Sequence, residues 1–320
     1  MKVLVTGAAG FLGTRVVSKL LERGHTVRAL VRDASRNPAE WLGRAEVVRA
    51  DLSADPALEK FFDGVDVLVH LAATVRGTPE AQFVSSVVGT ELLLESMRRA
   101  GSTRHVVLAS SFSVYDLTAA SKNVTEDSAL ELRPDERDGY TIAKIGQERV
   151  ARRLAEENGW TLAVLRPGLI YGPGAVPAAG AGIRIGGIFL VVAPTSRLRL
   201  THVENCAAAF ADAAEKKVAG TFNIVDDEHV SAWRYAGRLL GRSHRSLRLA
   251  LPYSAGLAIA YAAQLTSRIL FPPKGGRLPG VLIPRQYRAR FKPLQYDNRR
   301  AKEALGWECK EFFATGCDVT

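Results

Sequence analysis

The sequence predicts an α/β fold: a doubly wound parallel sheet with a smaller, mixed C-terminal region. Three observations lead there. Short apolar runs alternate with helical patterns through the first half of the chain, the order expected of βαβ units. A glycine-rich turn, Gly7-Ala8-Ala9-Gly10-Phe11-Leu12-Gly13, follows the first apolar run and opens the first helical pattern. The chain has 320 residues, 47% hydrophobic and 24% charged, which is ordinary for a globular protein and long enough to bury a full core.

Each element follows in order. Val3-Leu4-Val5 reads as a buried strand. Phe11 to Arg23 reads as a helix, with Val16, Val17, Leu20 and Leu21 on one face. Thr26 to Val31 is the second strand. Val47-Val48, Val65 to Val69 and Val106 to Leu108 are later strands, and Thr90 to Ala100 is a helix. Tyr140 to Glu157 is helical, Gly159 closes it, and Leu162 to Leu165 is a further strand. The run from Gly168 to Gly187 holds seven glycines and reads as a flexible loop region. From Leu249 to Ser267 nineteen residues carry no charge. Three readings stand for this segment: a buried or dimer-interface helix, a helix dipping into a membrane surface, or a span. Arg245 and Arg248 before it, and Arg268, Lys274 and Arg277 after it, suit interfacial anchoring over 249–271 and equally a solvated rim.

The net charge is +10. Its plain reading is a solvated basic surface. The excess is uneven, however: Arg285, Arg288, Arg290, Lys292, Arg299, Arg300 and Lys302 stand against Asp297 alone. Such a cluster could face an anionic membrane surface, an acidic partner or a phosphorylated ligand. No nucleic-acid motif accompanies it, so nucleic acid is not an expected partner. Cys206, Cys309 and Cys317 are too few and too scattered for a disulfide framework or a zinc site, and no metal-ligand spacing is present. With no basic-then-apolar leader, the expected location is cytoplasmic, with membrane association as the alternative.

The glycine turn carries the first chemistry. Gly7 permits the tight turn, Gly10 lets the backbone approach a pyrophosphate, and Gly13 lets helix and strand pack closely. The helix N-terminus offers unpaired N–H groups to the phosphates. Residues 1–165 therefore read as a dinucleotide-binding domain that also carries the catalytic residues. Residues 166–320 read as mainly substrate-binding, with some segments returning to the first domain.

The spacing Thr6-Gly7-x-x-Gly10-x-x-Gly13 resembles the extended short-chain dehydrogenase/reductase family, whose members share a Rossmann domain. Other segments agree: Asp51-Leu52, His70-Leu71-Ala72-Ala73, Arg166-Pro167 through Tyr171-Gly172-Pro173-Gly174, Thr201 to Asn205, and Asn298 through Trp307. The resemblance implies cofactor contacts from Thr6, Gly7, Gly10, Phe11, Leu12, Gly13, Asp51, Leu52, Leu71, Ala72, Ala73, Tyr140, Lys144, Pro167, Gly168 and Ile170. It places Val31 where NAD-dependent members hold an acid, and Arg32 where others clamp a 2′-phosphate. A guanidinium offers bidentate bonds to phosphate. NADP(H) is therefore expected over NAD(H), with Asp33 as the residue that would reverse this after a one-residue shift.

Tyr140-Thr141-Ile142-Ala143-Lys144 puts a phenol and an ammonium at i and i+4 of one helix face. The ammonium is expected to lower the phenol pKa, so that Tyr140 serves as general acid or base. By the family's register Ser111 is the catalytic serine, after the strand ending at Ala109. Ser113, Tyr171 and Ile188 are expected to touch substrate. Two departures matter. Ser86 stands where members often carry Asn, which leaves the proton relay open. Phe112-Ser113 replaces the Asp-Glu pair of the family's dehydratases, which argues against dehydration. His70 reads as packed beside the cofactor rather than as a base.

No charged clamp for a diphosphate is evident after Tyr171. Ala175 to Gly180 is small and apolar, and Ile183, Ile185, Ile188, Phe189, Leu190 and Val191 follow. This composition resembles the 3β-hydroxysteroid dehydrogenase-like and β-keto acid reductase branches. The expected reaction is hydride transfer to or from a hydrophobic ketone or secondary alcohol, sterol-like or a long-chain 3-keto or 3-hydroxy acid. A nucleotide-sugar epimerase or reductase using bound NAD is the alternative, and a cofactor-sensing protein without catalysis is a third reading. The family's helix pairing, around Thr90 to Ala100 and Tyr140 to Glu157, implies a homodimer.

Overall fold

Val3, Leu4 and Val5 have no exposed surface because both faces of their strand, β1 (Lys2–Thr6), are covered. A strand buried on both faces must be apolar throughout rather than alternating, which is how the runs of the first half read. In the computed structural model, which describes residues 1–33, 38–55, 57–74, 77–175, 180–240, 247–271 and 278–313, β1 is central to a seven-stranded parallel sheet. On one side lie β2 (Thr26–Val31) and β3 (Ala45–Arg49). On the other lie β4 (Val67–His70), β5 (His105–Ala109), β7 (Thr161–Pro167) and β12 (Gly220–Ile224). The chain reverses its progress across the sheet between β1 and β4, the place where open α/β sheets form a ligand crevice.

The sheet separates two cores. On one face Val3, Val5 and Val16 pack with Phe210 and Trp307, beneath α1 (Phe11–Glu22), α5 (Val203–Lys216) and α9 (Arg299–Leu305). On the other, Leu4, Leu68 and Leu108 pack with Leu93, Met97 and Leu154 of α3 (Gly89–Ala100) and α4 (Gly139–Asn158). The elements α5, β12 and α9 come from the second half, so segments of that half complete this sheet and its core. A short helix, α2 (Pro79–Phe83), runs through a π-helical turn, Val84–Val88, into α3.

Small sheets hold the remaining segments. β6 (Asn123–Val124) pairs with β14 (Gln295–Tyr296), and β8 (Leu169–Tyr171) with β11 (Leu200–His202). β9 (Gly182–Ile185), β10 (Ile188–Val192) and β13 (Leu247–Leu251) form a three-stranded sheet. α6 (Ala232–Leu240), α7 (Tyr253–Leu270) and α8 (Pro284–Phe291) complete the second half. The glycine-rich run is thus not simply a loop: it contains β8 and β9. A Cβ at Gly182 would lie 2.1 Å from the Leu190 carbonyl oxygen, so glycine there is what lets β9 pair closely with β10. Residues 176–179, Arg245, Lys274, Arg277 and Cys317 lie outside the described residues.

The uncharged segment forms α7. It packs on α8 through Gly256 and Ala260 against Tyr287, and most of its other side chains are exposed, so it is not a buried helix of this chain. Among the described residues no helix is long and apolar enough to cross a membrane, which removes the spanning reading. The basic cluster is largely neutralised inside the molecule. Arg285 pairs with Glu131 and Glu136, Arg299 with Asp297, Arg300 with Asp127 and Lys302 with Asp227. Arg288 and Lys292 both donate to the Thr118 carbonyl. Arg290 stands apart from these pairs.

Candidate active site

The cofactor crevice starts at Gly7, whose φ of +67° L-residues rarely adopt. A Cβ there would lie 2.8 Å from the Ala72 backbone nitrogen, and one at Gly13 only 2.1 Å from the Gly7 carbonyl oxygen. Glycine therefore lets β1, β4 and the start of α1 meet. Gly10 caps α1 without a side-chain bond, which leaves the first-turn N–H groups for an anion. A cavity of about 300 Å³ opens here. Of the residues expected at the cofactor, Gly7, Gly10, Arg32, Asp51, Leu52, Leu71, Ala72 and Ala73 line it, and Asp33 lines it as well. Thr6 lies buried beneath, its hydroxyl 2.6 Å from His70 Nδ1. Leu12 and Ile170 pack on the adjoining core. The Asp51 carboxylate accepts from the Ser53 N–H and hydroxyl, at 3.0 and 2.7 Å, which together with the Arg32 charge hold it below its ordinary pKa. The glycine cradle and the donor set fit a dinucleotide.

A second cavity, about 500 Å³, adjoins the ends of β5 and β7. Ser111, Ser113, Tyr140, Pro167 and Gly168 line it. Ser111 follows β5 and caps a short 3-10 turn, Phe112–Val114, accepting the Ser113 N–H at 3.1 Å. The Ser113 hydroxyl is buried with no hydrogen-bond partner among the described residues. Asp138 caps α4 by accepting the Thr141 N–H at 2.8 Å, which fixes Tyr140 in the first turn. Gly139 brings that turn against α2, since a Cβ there would sit 2.8 Å from Pro79 Cα.

The electrostatics differ from the expected pairing. Lys144 Nζ donates to the Ala109 carbonyl at 2.7 Å and lies 6.0 Å from the Tyr140 ring centre. Burial pushes the Tyr140 phenol above its ordinary value, against a hydrogen bond with Ser111 that lowers it. Burial outweighs that bond, so the net direction is up. Burial takes Lys144 itself down to about 8, opposed by the charge of Glu148 one turn on. His70 is buried, takes its bonds from or to Thr6 and Thr90 through both ring nitrogens, and is pushed to about 3 by burial and by Lys144. It is a neutral packed group. Gln147 ties Thr90 to the Ala72 carbonyl, at 2.8 and 3.1 Å. The Ser86 hydroxyl accepts the Thr74 N–H at 3.1 Å.

Beneath Ser111 lies a network that the sequence did not single out. Arg166 of β7 gives Glu148 of α4 two bonds, at 2.8 and 2.7 Å, and the Ser110 hydroxyl donates to the same carboxylate. The guanidinium also stacks on Tyr115, 4.6 Å from the ring centre. The signal was available: Lys144 and Glu148 share the i, i+4 spacing on α4.

Two expected substrate residues sit elsewhere. Tyr171 is buried, edge-on to His202 and Tyr235, because β8 turns it into the core it shares with Tyr235 and Phe313. Ile188 begins β10 beside Ile185 and Leu247, on an exposed end of the three-stranded sheet. In place of an uncharged pocket, Arg199 and Arg290 line the cavity that holds Ser111 and Tyr140. Among the described residues neither has a carboxylate partner. Arg199 reaches the Tyr296 hydroxyl at 3.3 Å, and Arg290 Nε is buried without a hydrogen bond. Burial and the Arg199 charge push Arg290 down from its ordinary value. Phe112, Leu198, Val281 and Phe291 supply the apolar wall.

The profile of the NAD dependent epimerase/dehydratase family matches residues 3–225. The chain is 26% identical to 3beta-hydroxysteroid-dehydrogenase/decarboxylase isoform 2 of Arabidopsis thaliana, over 95% of this chain and 58% of the plant protein. It thus spans little more than half of that relative's length. It is 29% identical to the sterol-4-alpha-carboxylate 3-dehydrogenase, decarboxylating, of Mus musculus, over 85% of this chain and 77% of the mouse protein. The fold is that of UDP-glucuronic acid 4-epimerase from Bacillus cereus solved with NAD, at TM-score 0.74 and 19% identity, covering 99% and 96% of the two chains.

Proposed function

The chain belongs to the NAD-dependent epimerase/dehydratase family, an extended short-chain dehydrogenase/reductase, and on that premise we propose that it oxidises or reduces a secondary alcohol or ketone on a substrate with an apolar body and an anionic group. The observation that carries this is the pair Arg199 and Arg290, unpartnered by carboxylates among the described residues and lining the cavity of Ser111 and Tyr140. Two guanidinium groups held together in a half-buried wall repel each other and leave donors unmade. An entering carboxylate or phosphate removes both penalties. The apolar wall keeps the sterol-like reading, and the name of the mouse relative joins a sterol to a carboxylate.

The dinucleotide would lie from the glycine turn across Asp51 and Ala72 to Tyr140, with NADP(H) preferred through Arg32. When bound, its nicotinamide gives or takes a hydride. The residues of the chain handle the oxygen. Ser111 donates to the substrate oxygen and orients it. Tyr140, a phenol at neutral pH, gives its proton to that oxygen in reduction and regains one from solvent; in oxidation its phenolate form takes the alcohol proton. Lys144 orients the nicotinamide ribose and carries the positive charge. Exposed Phe83, Val84 and Leu92 on the α2–α3 segment suit the paired-helix dimer.

The arginine pair also suits a nucleotide-sugar diphosphate, which keeps the epimerase reading as the second one. One experiment separates them. With wild type and Arg290→Met, a 3-hydroxysteroid with and without a 4-carboxylate is assayed by cofactor absorbance. UDP-sugars are assayed by chromatography of the sugar product, because an epimerase returns its hydride within each turnover. The proposal expects the carboxylate substrate to be favoured, with KM rising about tenfold or more in the variant. Turnover of UDP-sugars alone would overturn it in favour of the epimerase.

A further inference from the structure

A helix on a protein surface ordinarily turns charged residues to water and apolar ones inward. α7 does not. Its buried line is Gly256, Ala260 and Ser267. The opposite stripe, at 100° per residue, holds Ala255, Ile259, Ala262, Leu265, Thr266 and Ile269, with no charge. Ile259, Leu265 and Ile269 are 53%, 61% and 68% exposed, and Leu270 and Phe271 continue the apolar surface past the last turn. The preceding strand adds to it. Leu247 of β13 lies beside Ile188, and Ile188 beside Ile185, all three exposed.

The segment that builds this surface is basic in sequence. From His229 to Tyr296 there is no Asp or Glu, against twelve Lys and Arg, of which Arg234 pairs with Glu228 and Arg285 with Glu131 and Glu136 from other segments. Arg268, exposed in the last turn of α7, has no ion-pair partner among the described residues. Arg248 of β13 stacks on Trp233, 4.2 Å from the ring centre, with that indole partly exposed.

We propose that α7 and β13 form a docking face for an anionic lipid surface, with α7 lying in the plane of the interface. Apolar side chains enter the acyl boundary, while Arg248 and Arg268 stay with the headgroups. A second copy of the chain is a poorer occupant. A two-fold contact would set Arg268 and Arg248 of both copies on one surface, with no acid in the segment to offset them. The face also adjoins the active site. Val281 and Phe291 belong both to the cluster under α7 and to the wall of the 500 Å³ cavity. Docking therefore brings the cavity wall close to the lipid.

The test is co-sedimentation of the intact protein with phosphatidylcholine vesicles, with and without phosphatidylserine. The expected result is binding that requires phosphatidylserine and weakens as salt rises. Leu265→Gln with Ile269→Gln should weaken it about tenfold or more, and Arg268→Ser about fivefold. All three side chains are exposed, so unchanged circular dichroism and unchanged NADPH binding report an intact fold. The proposal is overturned if no binding is seen, or if binding survives the double substitution. It is also overturned if light scattering shows that the double variant loses a dimer while neither protein binds vesicles.

Discussion

Glu148→Gln is the sharpest perturbation of the scaffold beneath the active site. The carboxylate is almost fully buried and accepts two hydrogen bonds from Arg166, one from Ser110 and a longer one, 3.3 Å, from Arg152. Burial works to raise its pKa, and the bonds and charge of Arg166 outweigh that, so the net direction is down. The amide keeps the shape but loses the charge, and it can offer Arg166 only one acceptor oxygen. A buried guanidinium without its counter-charge costs about 3–5 kcal/mol. That is a large share of the roughly 5–15 kcal/mol by which a folded chain is stable. Urea unfolding of wild type, Glu148→Gln, Arg166→Met and the double variant measures it. Each single change should cost about 3 kcal/mol or more. The double change should cost clearly less than the two together, because the stranded charge is then gone. Lys144, held near 8 with support from Glu148, should titrate lower still in Glu148→Gln. A loss below about 1 kcal/mol in Glu148→Gln would refute the reasoning, because the pair would then contribute no more than a surface salt bridge.

Three further outcomes follow from the same geometry. Gly13→Ala sets a methyl group 2.1 Å from the Gly7 carbonyl oxygen, so α1 must shift; calorimetric titration should show NADPH affinity down about tenfold or more, with a lower melting temperature. Arg32→Ala should weaken NADPH about tenfold by the same titration and leave NADH nearly unchanged. Asp226 is buried, and burial raises its carboxyl to about 6, against bonds from Asn205 and the His202 N–H. Its folded-state pKa exceeds the unfolded value near 3.8, so the folded state holds the extra proton between about pH 4 and 6. Stability from this group therefore falls as pH rises through that window, by about 3 kcal/mol. Melting temperatures of wild type and Asp226→Asn should converge at the acid end and separate in favour of the variant toward pH 7.

Chain order carried the fold, because each βαβ unit is local and its apolar period survives in the sequence. Gly7 and Gly13 were legible because only glycine meets their steric demands, and Gly10 because it completes their spacing. Tyr140 and Lys144 were legible because one helix sets their spacing. Arg199 and Arg290 were not. They come from the approach to β11 and from α8, and only tertiary packing brings them to one cavity. Tyr171 misled for a related reason: in a three-residue strand, alternation does not say which face is the core, and packing against Tyr235 and Phe313 decided it. The uncharged segment told of a helix but not of its orientation. Gly256 against Tyr287 sets that, and it leaves the apolar stripe outside.

The most direct measurement of the central claim is the hydride-transfer rate of Tyr140→Phe, followed by cofactor absorbance under single-turnover conditions. Its NADPH affinity is measured alongside. If Tyr140 is the proton donor beside Ser111, the rate falls about 10²–10⁴-fold while cofactor affinity holds within a few fold. If the variant keeps most of the wild-type rate, the proton comes from elsewhere and the assigned site is wrong.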